Sequence, residues 1–220
     1  MRYLAVMCVL ALIVAGCGGP PPANVAPPRQ STAPTVDQEP VIATVLGKTI
    51  TAKDIVVDEN DKTALRDCWA ISPLIVGPLV DKYVRDHQLK ATADEIKAFR
   101  QYWFSVRDEN GELLSKSPTA EESQQVDEIA KDSVVTWKFK KSLYERYKGR
   151  IEFQQAGLEP YDANLHWLED EEKAGSFKIH DERWREAFWA YYTKVPHRFV
   201  EEQNAFEKPY WEAVPEGAKK

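Results

Sequence analysis

Cysteine is nearly absent: of Cys8, Cys17 and Cys68, the first two lie in or beside an N-terminal apolar run. Cys68 is therefore alone in the body of the chain, which excludes an intramolecular disulfide framework there. Cys68 sits beside Trp69 in a helical pattern and reads as a small buried apolar residue, not as a reactive thiol. Long hydrophobic runs are missing too. The longest, Leu4 to Val14, falls short of the roughly 20 apolar residues that a membrane-crossing helix needs. Positive charge is in deficit, with 29 Lys and Arg against 35 Asp and Glu, a formal net charge of −6. That balance argues against nucleic acid as a partner, because such binding depends on clustered Lys and Arg.

Motifs that carry chemistry are equally sparse. The four histidines, His87, His166, His180 and His197, are scattered, with no i, i+4 pair and no H-E-x-x-H, so no metal site or other cofactor is expected. There is no G-x-S-x-G elbow and no phosphate-cradling glycine loop. The densest acidic run, Glu169-Asp170-Glu171-Glu172, reads as a solvated helix face. Acids are too numerous for counting alone to exclude paired-carboxylate glycosidase chemistry, and a cell-wall hydrolase stays as a third possibility.

What is present begins at the N-terminus. Arg2, the apolar stretch Leu4 to Val14 and the small pair Ala15-Gly16 have the layout of a secretory signal, with Cys17 following at once. Val14-Ala15-Gly16-Cys17 resembles the bacterial lipobox. The resemblance implies cleavage after Gly16 and lipidation of Cys17, with several acyl chains providing durable anchoring. Gly18, in place of Asp, resembles the sorting pattern of outer-membrane lipoproteins, facing the periplasm. Residues 1–16 are thus expected to be a signal peptide. Residues 17–40 hold half of the 14 prolines and are expected to be a semi-rigid spacer that reaches roughly 70 Å from the lipid.

The remainder has 43% hydrophobic and 11% aromatic residues over the full chain, enough for a real core. Val41–Val45 and Lys48–Ile50 read as a hairpin about Leu46-Gly47. The turn suits type I′ at Gly47, but Leu46 is a poor occupant of a φ > 0 position. Thr51 with Asp54, and Thr92 with Glu95, form capping boxes. A first helical stretch is expected over Thr63–Ile71. A second starts at Ser72-Pro73 and is kinked or restarted at Pro78. Ile96, Phe99, Tyr102 and Trp103 give the face of the next helix.

The segments VIATVLGKTITAKDI and LIVGPLVDKYVRDHQLKATADEIKAF resemble the N-terminal domain of SurA-type periplasmic chaperones and the related trigger-factor peptide-binding region. The likeness spans about 41–104 and departs from the family at Leu46, where Asn is preferred, and at Pro78, inside the central helix. It implies a helical cradle for extended polypeptides. Nothing in 105–220 resembles the parvulin isomerase domains that such proteins often carry, so isomerase activity is not implied.

The longest helix is expected over about 120–148, closed by Gly149. Val126, Ile129, Ala130, Val134, Trp137, Phe139, Leu143, Tyr144 and Tyr147 cover more than half its circumference. Such a helix is either covered on two sides or leaves a groove for a ligand. Further on, helices are expected over Glu159–Lys173 and from an Asp181 cap, the latter with Trp184, Phe188, Tyr191 and Tyr192 on one side. Short strands at 151–153 and 177–179 make a small two-strand element.

The expected architecture is therefore mainly α with a short N-terminal hairpin, divided into 41–148 and an aromatic-rich 149–220 that packs on it. Candidate peptide-binding rings are Trp103, Trp137, Phe139, Tyr144, Trp184, Phe188 and Tyr192, each of which could instead be core. The expected role is a tethered, non-catalytic chaperone-like protein that holds extended apolar or aromatic envelope polypeptides. The alternative is an accessory lipoprotein that docks to one envelope complex.

Overall fold

A computed structural model describes residues 39–105, 119–154, 157–201 and 206–212. The expected signal peptide, the lipidation site Cys17 and nearly all of the Pro-rich spacer lie outside the described residues. Helix accounts for 61% of what is described, so the fold is mainly α, with two small antiparallel sheets.

The hairpin forms as the sequence requires. β1 (Val41–Val45) and β2 (Lys48–Thr51) pair with Val45 opposite Lys48, leaving a two-residue turn. Leu46 at φ 48 and Gly47 at φ 79 both adopt the left-handed region that this turn demands. Ala43, Val45 and Ile50 point inward and are buried. A short 3₁₀ turn over Ala52–Asp54 follows, with the Thr51 amide donating to Asp54 Oδ2 at 2.7 Å.

α1 runs unbroken from Arg66 to Asp86 through both Pro73 and Pro78, which corrects the expected start of a second helix at Ser72-Pro73 and its restart at Pro78. Ile71, Ile75, Leu79 and Tyr83 are buried at four-residue steps along one line, and neither proline is on that line. Each interior proline costs about 3 kcal/mol. Four buried side chains at about 1.5–3 kcal/mol each outweigh that, and only a continuous helix keeps them aligned.

α2 (Ala93–Ser105) begins at the Thr92–Glu95 capping box, and α3 (Ala120–Tyr147) at a second one built by Thr119 and Glu122. The wide apolar arc of α3 is covered on two sides at different heights. Val126, Ala130 and Val134 meet Phe99 of α2 and Trp211. Five residues beyond Val134, about 140° round the helix, Phe139 and Leu143 turn into the principal core.

After α3 come β3 (Ile151–Gln154), β4 (Gly157–Glu159), α4 (Tyr161–Lys173), β5 (Phe177–Ile179), α5 (Glu182–Lys194) and β6 (Phe199–Val200). The strands at 151–154 and 177–179 do not pair with each other as expected. β5 completes the hairpin sheet in the order β2-β1-β5, whereas β3 lies between β4 and β6. The physical reason is burial: Phe177 and Ile179 alternate inward to match Val45 and Ala43, whereas Phe153 of β3 is 65% exposed. α5 packs on α1 and α4 on α3. The segments 41–148 and 149–220 therefore share one sheet and one core.

Candidate functional site

The seven aromatic rings expected to grip a peptide do not assemble into one surface. Phe139, Trp184 and Phe188 are buried in the principal core, which corrects their assignment as a client face. Phe139 meets Tyr83 and Trp167 edge-on, with centroids at 5.2 and 5.1 Å, and Phe188 lies 5.6 Å from Phe177. These positions are chosen by packing, since a large ring removes more apolar area from water than any other side chain. Trp137 and Tyr144 are half-buried, against Trp211 and Phe206 respectively. Trp103 is exposed and stacks on Phe99. Of the seven, the half-buried Tyr192 and the buried Phe188 line a cavity.

That cavity is a cleft of about 260 Å³ between α1, α4 and α5, to whose lining Gln154 of β3 and Glu159 of β4 also contribute. Cys68 sits at its base, with Sγ 3.6 Å from the Phe188 carbonyl and 3.4 Å from Ser72 Oγ, so the thiol is buried as expected. One residue on, about 100° round α1, Trp69 stands at the rim and is half-exposed. Its ring lies 5.9 Å from that of Tyr191. Tyr161 and Tyr192 complete an aromatic wall, 5.3 Å apart, and the Tyr161 hydroxyl donates to the Tyr192 carbonyl. Polar groups at the mouth are few: Ser72, Gln154, Glu159 and Asn164.

Gln154 and Glu159 of that lining also belong to a compact charge cluster. Glu152 and Glu159 are direct cross-strand partners in β3 and β4, an arrangement that destabilises a sheet unless each charge is matched. Lys140 of α3 pairs with Glu159, and His197 pairs with Glu152 through Nδ1 at 3.0 Å. Glu152 Oε2 also accepts from the Tyr191 hydroxyl and, at 3.0 Å, from Gln154 Nε2, while Gln154 in turn donates to the Tyr191 oxygen. Burial pushes the Glu152 carboxyl up, but hydrogen bonds from Tyr191, His197 and Gln154 outweigh it, and the group is held below its ordinary value. Burial and the neighbouring carboxylate push the Tyr191 phenol far up.

Chemically, this arrangement keeps a carboxylate ionised and hydrogen-bonded. Glu152 is an ionised acceptor with both oxygens engaged, the opposite of a carboxyl kept protonated for acid catalysis. Tyr191 is a fixed donor. Among the described residues no three His, Cys, Asp or Glu side chains converge on a point where a metal ion would sit. The same residues contain no helix long and apolar enough to cross a membrane.

Sequence reasoning missed Trp69, Tyr161, Glu152 and His197 as members of one site. Trp69 carried one visible signal, a bulky apolar residue beside the inward-facing Cys68 and therefore off the buried line. Glu152 and His197 carried none, since β3 is only four residues long and His197 lies outside any helix or strand. Comparison of the chain with protein-family models, curated proteins and solved structures finds no match.

Proposed function

We propose that the protein is a lipid-anchored, non-catalytic binding protein of the bacterial envelope, which receives one apolar or aromatic side chain of an extended polypeptide in the cleft beneath Trp69. The observation that carries this reading is the lining of the cleft: Trp69, Tyr161, Tyr191 and Tyr192 around about 260 Å³, with the nearby charges matched among themselves. The volume lies just under the roughly 300 Å³ at which pockets for drug-sized ligands begin, so it suits one side chain and not a run of them. A ring-walled site whose one lining carboxylate, Glu159, is paired with Lys140 favours an uncharged, flat guest. The lipobox resemblance at Val14–Cys17 supports anchoring. Two measurements test the two halves of the proposal. N-acetyl-phenylalaninamide should shift the Trp69 indole resonance of the wild type and lose affinity in Trp69→Ala; a Trp69 resonance indifferent to that probe sinks the binding half. Palmitate labelling in cells should vanish in Cys17→Ser; labelling that persists sinks the anchor.

The rival role, docking to a single envelope complex, draws support from the burial of Phe139, Trp184 and Phe188, which withdraws three of the seven candidate rings from any surface offered to many clients. A photo-crosslinking residue at position 69 separates the two in cells. A ladder of products favours polypeptide clients, and one stoichiometric product favours the docking role.

A further inference from the structure

A second concavity, of about 430 Å³, adjoins the ring-walled cleft, formed by the start of α1 with the residues before it and by one face of α5. Where the cleft is aromatic, this lining is charged. Lys62, Arg66, Arg183 and Lys194 bring four cations against the three anions Asp61, Asp67 and Glu186. That surplus of positive charge stands on a chain whose formal net charge is −6. Arg66 and Arg183 share one carboxylate: Arg66 donates through Nε to Asp67 Oδ1 at 3.0 Å, and Arg183 through Nη2 to Asp67 Oδ2 at 2.7 Å. A guanidinium carries five N–H donors, and those left over on both arginines have no acceptor among the described residues. The other two anions are engaged elsewhere. Asp61 accepts from the Thr63 amide at 2.7 Å, and Glu186 lies 3.7 Å from Lys194. Two guanidinium edges with donors to spare fit a further carboxylate.

Two helical steps join this concavity to the cleft. On α1, Arg66 lines the concavity and Trp69, three residues later, lines the cleft. On α5, Tyr191 lines the cleft and Lys194, three residues later, lines the concavity. Residues three apart are neighbours on a helix surface, with Cβ atoms roughly 5–6 Å apart. That is the span of the few bonds, each about 1.5 Å, between the ring of one amino acid and its own carboxylate. In an extended polypeptide the next side chain points to the opposite face, so an acidic neighbour does not bring its charge to the same side.

From this arrangement we infer that the guest is the C-terminal residue of a polypeptide. Its apolar or aromatic side chain enters among Trp69, Tyr161, Tyr191 and Tyr192, and its free carboxylate rests on Arg66 and Arg183. The inference rests on the reading of the cleft as the site of one apolar side chain, and adds the chemical class of the partner: a chain with an exposed apolar end. Glu159, the one carboxylate in the cleft lining, is paired with Lys140 and does not oppose the charge of such a guest. An amidated or internal residue forfeits the guanidiniums, and a terminal glycine forfeits the rings.

Three probes titrated into the full-length protein at pH 7, and followed through the Trp69 indole resonance, test this. N-acetyl-phenylalanine should bind at least about fivefold more tightly than N-acetyl-phenylalaninamide, because hydrogen bonds to charged groups are the stronger ones. The preference should shrink with added salt. It should vanish in Arg183→Gln, which leaves Arg66 neutralised by Asp67. N-acetyl-phenylalanyl-glutamic acid α-amide, with its carboxylate on the following residue, should bind no better than the simple amide. Equal affinity for the acid and the amide, or for the acid and the dipeptide, overturns the inference while the cleft remains a side-chain site. A preference for the acid that survives Arg183→Gln overturns it as well. Should that variant fail to fold, the three wild-type affinities alone decide. A Trp69 resonance indifferent to all three probes defeats the reading of the cleft itself, and the inference with it.

Discussion

Val45 of β1 lies directly opposite Phe177 of β5, so a strand from the C-terminal part closes the sheet begun by the N-terminal hairpin. Phe177 is 1% exposed and contacts Phe188 of α5, which places it where the sheet and the helices meet. Truncation of so buried a ring costs about 3–5 kcal/mol. Phe177→Ala is therefore expected to lower the unfolding free energy measured in urea by that amount. Phe153→Ala, at a largely exposed ring, should change stability by no more than about 0.5 kcal/mol.

Two glycines should respond to alanine with opposite sign. At Gly149 the backbone has φ +103, and an added Cβ would approach Asp162 Cβ to 2.5 Å. Asp162 has no freedom to retreat, since it accepts from the Arg150 backbone at 2.7 Å and from its guanidinium. Gly149→Ala should destabilise by about 1–3 kcal/mol. Gly77 lies within α1 and, its chain neighbours and the helix backbone apart, nothing lies near its would-be Cβ, so Gly77→Ala should stabilise by about 0.4–1 kcal/mol. Thermal unfolding of the two variants beside the wild type checks both signs.

Leu46 occupies the left-handed region at φ 48, where its branched side chain is penalised. The conformation is enforced by the two-residue turn and by the Leu46 amide, which donates to the Ser176 carbonyl at 2.7 Å. Leu46→Asn keeps that amide and suits the turn, so a gain of about 1 kcal/mol is expected in chemical denaturation.

Acid should weaken the protein through Asp162. Hydrogen bonds from the Arg150 guanidinium, then from the Arg150 backbone, outweigh burial and hold the Asp162 carboxyl below its ordinary 3.8. A folded value below the unfolded one means that the contribution is complete at pH above about 4 and disappears as pH falls through the folded value. Stability measured from pH 7 down to pH 2 should decline more steeply in the wild type than in Asp162→Asn. Equal slopes would show that the Arg150 contact does not stabilise the fold.

Much of the framework was legible in the chain because its causes are local. Thr92 and Glu95 cap a helix wherever the rest of the molecule lies, since the bonds involved span three residues. Leu46-Gly47 declares a hairpin, Asp181 a helix start, and Cys68 a buried position by its place in a helical pattern. The prolines of α1 misled for the complementary reason. Local propensity at Pro73 and Pro78 opposes a continuous helix, and only the core against which Ile71, Ile75, Leu79 and Tyr83 align overrules it. The aromatic rings were visible as such, but not their fates. Phe139 and Trp103 are both rings on helices, and their surroundings alone make one interior and the other exposed.

By itself, the sequence determined the helical class, the capped starts of α2 and α5, and the isolation of the one cysteine in the folded body. Each of these follows from contacts within a few residues or from composition. The tertiary structure alone decided that β1 takes β5 as its neighbour, that Trp69 and three tyrosines enclose a cleft, and that Glu152, Tyr191 and His197 meet. Those groups are far apart along the chain, and what brings them together is the burial of apolar area and the matching of charges in space.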